Sequence, residues 1–208
     1  MIEDKLRVKE GITELTVKHN GEDLTFIHPA YGPDTYFNVG RQIEQAELRT
    51  PTMAETSSLV YTAFNSHDRY NEEIKDIMRK RWLLGFTGNL YIPKKGAYIL
   101  DKPEIKDNEV IMDESELIKR LEANDPSVRF VPFGYETGEM DPMRLARHTY
   151  VIGLAGEEGA EKLAEVASKH KDKPYLWSFK FVDEPLIRVS ALDSSWVFDD
   201  RLDVDGNW

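Results

Sequence analysis

The sequence predicts an α+β protein with a mixed or antiparallel sheet, about five helices packed on it, and a β-rich C-terminal third. Residues 52–92 contain two helical patterns followed by the alternation of a β-hairpin. Strand-like runs predominate after residue 174. Helical and strand-like segments do not alternate strictly, whereas a doubly wound parallel sheet is built from βαβ units. These observations favour an α+β fold over a parallel α/β fold.

The clearest helix signal begins at Thr52, which is followed three residues later by Glu55. This spacing is a capping box, in which each side chain accepts a hydrogen bond from the backbone of the other residue. Apolar residues then recur every three or four positions, as on the inward face of a helix. A second helix is predicted after Asp68, with Trp82 at the end of its buried stripe. Gly85 is predicted to close that helix in the left-handed conformation.

The apolar pattern then changes from helical to alternating, and residues 89–100 are predicted to form a β-hairpin under the helix pair. Asn20-Gly21 is the dipeptide most typical of a type I′ turn and predicts an N-terminal hairpin between residues 12–17 and 24–27. Other predicted strands are residues 109–112, 128–131, 150–154, 175–182, 186–191 and 196–198. Other predicted helices are residues 42–48, 114–123 and 156–170 and a short helix from Pro142.

Composition limits the function classes. The 208 residues suit a single domain, and residues 171–174 are the place where a seam would fall. Asp and Glu number 38 against 27 Lys and Arg, which gives a formal charge of -11. Because nucleic-acid backbones are held by basic surfaces, this balance argues against non-specific nucleic-acid binding. The chain has no Cys, which excludes disulfides, thiolate zinc sites and cysteine nucleophiles.

The sequence also predicts where the protein resides and what it does not carry. The N-terminal segment has no apolar signal-peptide core, and the chain has no apolar run of the roughly 18 residues that a membrane span needs. We therefore expect a cytoplasmic protein without a membrane partner. The five histidines lack zinc-protease spacing, and we expect no metal and no cofactor. A small-molecule partner, a protein partner and a homo-oligomer all remain open.

The segment of residues 28–41 is the leading candidate for a functional site. It contains two Pro, two Gly and three aromatic residues and has almost no periodicity. A connection of this length without regular structure is usually functional or mobile. We predict that His28 acts there as an acid or base near neutral pH and that Asp34 orients or charges its imidazole.

Five further residues are predicted to bind a ligand at this segment. Tyr31 and Tyr36 would form the walls, and Arg41 would hold a carboxylate or phosphate. Glu55 and Ser57 would contribute from the first turns of the helix that starts at residue 52. The N-terminus of that helix carries free amides and a partial positive charge, which would suit an anionic group.

Two other acidic segments are weaker candidates for a site. Glu136 and Glu139 form a pair in a glycine-containing loop, but a glycosidase pair is defined by its separation in space. Residues 203–206 resemble part of a calcium loop, yet Arg201 stands where the first ligand is expected.

The leading functional hypothesis is a non-enzymatic binding or assembly protein, because the sequence offers aromatic and acidic loops without a coupled nucleophile and base. The alternative is a small-molecule enzyme whose site lies in residues 28–41, beside the N-terminus of the helix that starts at residue 52.

Overall fold

A computed structural model describes residues 5–9, 12–194 and 199–208, with side chains from residue 13 onward. In these ranges the fold is α+β. The helices are α1 (Tyr36–Gln45), α2 (Met53–Asn65), α3 (Arg69–Lys80), α4 (Glu114–Glu122), α5 (Pro142–Ala146) and α6 (Thr149–Ala167). The strands are β1 (Lys5–Lys9), β2 (Ile12–His19), β3 (Glu22–His28), β4 (Leu83–Ile92), β5 (Gly96–Asp101), β6 (Glu104–Lys106), β7 (Glu109–Ile111), β8 (Val128–Pro132), β9 (Gly138–Glu139), β10 (Tyr175–Trp177), β11 (Leu186–Asp193) and β12 (Asp203–Asp205).

The strands form one large mixed sheet and two smaller antiparallel sheets. The seven-stranded sheet has the order β8-β5-β4-β11-β12-β10-β9, in which β10 and β12 pair in parallel and the other neighbours pair antiparallel. Strands β1, β2 and β3 form a three-stranded antiparallel sheet, and β6 pairs with β7. The predicted α+β class and mixed sheet are confirmed.

Three apolar clusters hold these layers together. Helices α2 and α6 pack on the large sheet through the first cluster, which includes Met53, Ile99 and Leu163. Helix α1 belongs to a second cluster with strand β4. The three-stranded sheet packs on α2 and α3 through a third cluster, which includes Leu15 and Leu59. No helix in the described segments is long and apolar enough to cross a bilayer.

The local chemistry predicted for the central helices is confirmed. Thr52 Oγ1 accepts from the Glu55 amide at 3.2 Å, and the Thr52 amide donates to Glu55 Oε2 at 2.9 Å. Asp68 caps α3 by accepting from the amides of Tyr70 and Asn71. Strands β4 and β5 form the predicted hairpin.

The prediction that Trp82 lies in the core is wrong, because this side chain is 52% exposed. Helix α3 ends at Lys80, and β4 begins at Leu83, so Trp82 lies in the connection between them. Leu83 packs against the core, whereas the Trp82 ring lies 5.6 Å from that of Trp208 near the surface.

We therefore expect Trp82→Ala to lower the free energy of unfolding by about 1 kcal/mol, well below the roughly 3 to 5 kcal/mol that truncating a fully buried tryptophan costs. Chemical denaturation of the variant and the wild type measures this difference. A loss of several kcal/mol would show that the Trp82 side chain is buried in solution.

The prediction that Gly85 ends α3 is also wrong. Arg81 is the C-cap of the helix, and Gly85 lies inside β4. A Cβ atom on Gly85 would lie 2.9 Å from the Cα of Met53. The glycine therefore allows α2 to approach the strand closely.

The predicted strand at residues 150–154 is also wrong, because this apolar run forms the first turns of α6. The helix is buried along this stretch, and a short apolar run does not distinguish a buried strand from a buried helix. Gly156 interrupts the helix with φ of 74°, so the predicted start near residue 156 corresponds to a kink. The β-rich part of the C-terminal third therefore begins only after α6.

Several boundaries differ from the predictions. Helix α1 begins at Tyr36 rather than at residue 42, because Thr35 caps it by accepting from the Asn38 amide at 3.3 Å. The strand predicted at residues 175–182 is limited to β10. The strand predicted at residues 196–198 lies outside the described residues. Strand β1 had no counterpart among the predicted elements.

Candidate functional site

A cavity of about 640 Å³ lies between the three-stranded sheet and the rest of the protein. Its walls come from β2 and β3, the connection at residues 29–35, the first turns of α2, the end of α3 and the start of β4, together with Trp208. This volume lies in the range of roughly 300–1,000 Å³ that is usual for small-molecule sites.

Most of the wall is apolar, because the cavity lies between two core clusters. Leu15, Leu59 and Ile74 belong to the cluster of the three-stranded sheet. Val39 and Phe86 belong to the cluster of α1 and β4. A ligand in the cavity would therefore contact aliphatic and aromatic side chains of both clusters.

Three large apolar side chains of the cavity wall are also exposed to solvent. Tyr31 is 36% exposed, Leu48 is 37% exposed and Trp82 is 52% exposed, and all three line the cavity. Exposed apolar surface at a cavity is typical of a ligand or partner site.

His28 lines the cavity and is 7% exposed. Its Nε2 lies 3.1 Å from Glu73 Oε2, but the geometry is that of an electrostatic contact rather than a hydrogen bond. Its ring meets the Tyr70 ring edge-on, with the centroids 5.4 Å apart. The carboxylate beside His28 is thus Glu73 and not Asp34, the residue that the sequence suggested.

Asp34 lies at the wall of the same cavity but is engaged within its own segment. Its Oδ1 accepts from the Asn38 side-chain amide and from the Thr35 backbone amide, each at 2.7 Å. These hydrogen bonds, the one from Asn38 first, lower the pKa of the Asp34 carboxyl below its ordinary value. Asp34 therefore orders the start of α1.

Three predicted ligand residues lie away from the cavity wall. Arg41 donates to Asn108 Oδ1 at 2.8 Å and is exposed on another side of α1. The Tyr36 ring packs on Phe86 in the core, and burial raises the pKa of its hydroxyl. The buried hydroxyl of Ser57 donates to the Met53 carbonyl at 2.7 Å. Among the predicted site residues, the cavity brings together His28, Tyr31, Asp34 and Glu55.

Glu55 occupies the N-terminal end of α2 as an anion. Its Oε1 accepts from Arg49 at 2.5 Å, while its Oε2 accepts from the Thr52 amide. Burial opposes ionisation, but these hydrogen bonds and the charge of Lys102 outweigh it and lower the pKa of Glu55. The Met53 amide donates to Thr87 Oγ1 at 3.0 Å. This end of the helix is therefore already capped and does not offer the anion site that the sequence suggested.

Thr56 is a cavity residue that the sequence analysis did not single out. It is 1% exposed, and its Oγ1 has no hydrogen-bond partner among the described residues. Nothing in the sequence distinguishes Thr56 from the other Ser and Thr residues of α2. Buried hydroxyls are nearly always hydrogen-bonded, so this one stands out in the structure.

The acidic segments lie elsewhere. Asp193 faces Asp203 across β11 and β12, and Arg201 Nε donates to Asp203 at 2.9 Å. Burial, followed by the charges of Asp203 and Asp205, raises the pKa of Asp193 to about 7. Glu136 forms an exposed ion pair with the Arg144 side chain. Within the described residues, no group of three or more His, Asp or Glu side chains is arranged to hold a metal ion.

Comparisons of the chain with protein-family models, with curated proteins and with solved structures found no match in any of the three. The inference of function therefore depends on the geometry and chemistry of the cavity.

Proposed function

We propose that this protein binds a neutral, largely apolar small molecule in the cavity between the three-stranded sheet and helices α1 to α3. The observation that carries the proposal is the cavity of about 640 Å³, whose wall is supplied by two apolar clusters. Burying an apolar ligand surface there stabilises a complex by roughly 25 cal/mol per Å² before the costs of association.

The charged side chains at the wall support a neutral ligand. Arg49 is paired with Glu55, and Lys80 Nζ lies 3.4 Å from Asp76 Oδ2. Asp34 is held by hydrogen bonds from its own segment. A charged ligand that pairs with Arg49, Lys80 or Asp34 would have to displace one of these partners, whereas an uncharged one leaves them in place. Arg81 also lines the cavity and is exposed at its solvent side, outside the ion pairs of the described residues.

The alternative is an enzyme that uses His28, and the contact between its Nε2 and Glu73 favours this reading. A carboxylate beside an imidazole is one half of a nucleophile-activating arrangement. The other half is a hydroxyl that hydrogen-bonds to the imidazole, and no described hydroxyl does so for His28. Binding without turnover is therefore the better supported function.

The test is a titration with phenylnaphthylamine, a neutral aromatic probe whose fluorescence increases in apolar surroundings. We expect saturable binding to the wild type and a loss of about tenfold or more in affinity for Val39→Phe, because the larger ring enters the cavity. Val39 lines the cavity, whereas the exposed Ile111 lies outside it. Ile111→Phe is the matched control and should bind as the wild type does.

Circular dichroism must show that both variants are folded. The proposal fails if the wild type shows no saturable binding, or if Val39→Phe and Ile111→Phe bind the probe equally well. Turnover is tested separately with naphthyl acetate. Hydrolysis by the wild type that is lost in His28→Gln would favour the enzyme instead.

A further inference from the structure

Strand β3 is an open edge of the three-stranded sheet at the wall of the cavity. The sheet has the order β1-β2-β3, so within the described residues β3 pairs on one side only. The consecutive residues 24–28 of this strand all line the cavity. Successive side chains of a strand point to opposite faces of the sheet, so a cavity that borders every residue of this run borders the edge of the strand. Of the described part of β2, which lies one strand further in, Leu15 alone reaches the wall.

The hairpin turn determines which backbone groups of β3 point to this edge. The two-residue turn at Asn20-Gly21 is closed by the pair of His19 and Glu22. A closing pair of this kind exchanges both backbone hydrogen bonds, and bonded and non-bonded pairs then alternate along the two strands. Counted from Glu22, Thr25 and Ile27 belong to non-bonded pairs. Their amides and carbonyls therefore point away from β2 and toward the open edge.

These amides and carbonyls have no partner in the described part of the chain. The backbone groups of Thr25 and Ile27 take part in no turn or loop hydrogen bond between described residues. Thr25 is exposed and Ile27 is half-buried, so the edge can be reached from solvent. An edge of this kind presents alternating donors and acceptors, which another extended backbone satisfies.

The outermost strands of the other sheet edges have features that discourage such pairing. Three of the five residues of β1 are Lys or Arg. Strand β8 contains Arg129 and Pro132, and β9 is only two residues long. Charged residues, Pro and short length are the usual protections of an edge strand. Residues 24–27 of β3 include neither a charged residue nor Pro. Strand β3 is therefore suited to pair with another chain.

We infer that the ligand of the cavity is an uncharged, apolar peptide in extended conformation, which pairs with β3 as a fourth strand of this sheet. The peptide amides donate to the carbonyls of Thr25 and Ile27, and the peptide carbonyls accept from the amides of the same two residues. The peptide residue between these two pairs lies opposite Phe26, with its side chain on the face where Phe26 packs against the apolar cluster. This inference rests on the proposed binding function, which it refines by naming the ligand class.

Three blocked tripeptides test the pairing in competition with phenylnaphthylamine. The first is acetyl-Val-Leu-Val-amide, whose first and third residues would pair with β3. The second is methylated on the amide nitrogens of those two residues, and the third only on that of the central residue, whose N–H would point away from β3. We expect methylation at the first and third residues to weaken binding about tenfold or more, because two hydrogen bonds are lost. Methylation at the central residue should be tolerated.

Amide hydrogen exchange measured by NMR locates the peptide on the strand. In the free protein, the amides of Thr25 and Ile27 should exchange faster than those of Leu24 and Phe26, which donate to β2. Saturating acetyl-Val-Leu-Val-amide should slow exchange at Thr25 and Ile27 and change it much less at the other two residues.

Thr25→Pro removes one outward amide without removing a hydrogen bond to β2, and Pro is tolerated at an edge position whose N–H faces away from the sheet. Thr25→Ala is the matched control. It removes the same side chain, including the hydroxyl that lies 3.1 Å from the Thr16 hydroxyl, but keeps the amide. We expect Thr25→Pro to bind the unmethylated peptide about fivefold more weakly than Thr25→Ala, and both to bind phenylnaphthylamine equally well.

The failures can be told apart. If phenylnaphthylamine itself does not bind, the proposed function fails. If the probe binds but the peptide does not displace it, or if the two methylated peptides bind equally well, pairing with β3 is overturned while the cavity remains a binding site. A dimer in sedimentation whose Thr25 and Ile27 amides are protected without peptide would show that a second copy of the chain covers the edge, and this result also overturns the inference.

Discussion

Replacing Gly96 with Ala should lower the free energy of unfolding by about 3 kcal/mol. Gly96 begins β5 and pairs with Ile92 of β4 on one side and Pro132 of β8 on the other. A Cβ atom at this position would lie 2.1 Å from the Val131 carbonyl oxygen and 2.7 Å from the Pro132 Cα. Both neighbours are backbone atoms of a paired strand, so they can move away only if the pairing of β5 with β8 is disturbed.

Gly134→Ala is the matched control. Gly134 has φ of 113°, but nothing lies within 4 Å of a Cβ atom placed there. The control therefore measures the conformational cost of the substitution alone, which we expect to be about 1 kcal/mol. Urea denaturation of both variants gives the comparison. Equal losses for the two variants would mean that β8 shifts freely and that the contact at Gly96 costs nothing.

The parts of the fold that follow from sequence are those fixed by local chemistry. The capping box of α2 joins Thr52 and Glu55, which are only three residues apart, so their spacing in the sequence predicts both hydrogen bonds. Asn20 and Gly21 adopt φ of 50° and 80°, as a type I′ turn requires, so the pairing of β2 with β3 was predictable.

The parts of the fold that could not be predicted from the sequence depend on tertiary packing, that is, on which distant residues a side chain contacts. The run at residues 150–154 is buried within α6, and its apolar character fits a strand as well as a helix. Trp82 and Leu83 are adjacent and both apolar, yet only Leu83 packs against the core. Sequence could not decide between them because the end of α3 and the start of β4 meet at this point.

The candidate site was predictable only as a region. The segment after His28 does border the cavity, and so does Glu55 at the start of α2. The side-chain partners of these residues were not predictable, because they come from distant parts of the chain. Glu73 of α3 lies beside His28, and Arg41 is hydrogen-bonded to Asn108 outside the cavity. The unpaired hydroxyl of Thr56 is a property of three-dimensional packing and has no counterpart in sequence.

We expect a second large effect, on the pH dependence of stability, from the aspartates of β11 and β12. Asp193 and Asp203 are opposite each other in register, and the indoles of Trp82 and Trp177 lie beside their carboxyls. Arg201 faces Asp203, whereas Asp205 adds a further negative charge beside the pair. Two carboxyls in this arrangement favour a shared proton.

Burial and the neighbouring carboxylates raise the pKa of Asp193 to about 7, and burial raises that of Asp205 to about 6. An Asp in the unfolded chain has a pKa of about 3.9. The folded protein therefore binds these protons more tightly than the unfolded chain does. Their contribution to stability is fully present below a pH of about 4 and is lost as the pH rises to about 7.

Asp193→Asn places a neutral group at this position at every pH, and its amide can donate to Asp203 as the protonated carboxyl does. We expect the variant to be more stable than the wild type by about 2 kcal/mol at a pH of about 8 and nearly equal to it at a pH of about 4. Denaturation midpoints measured across this pH range give the difference between the two proteins.

Asp183→Asn, at an exposed position, is the control for the loss of one negative charge from an acidic chain. A constant difference between Asp193→Asn and the wild type at all pH values would show that the pair does not hold a proton in the folded protein.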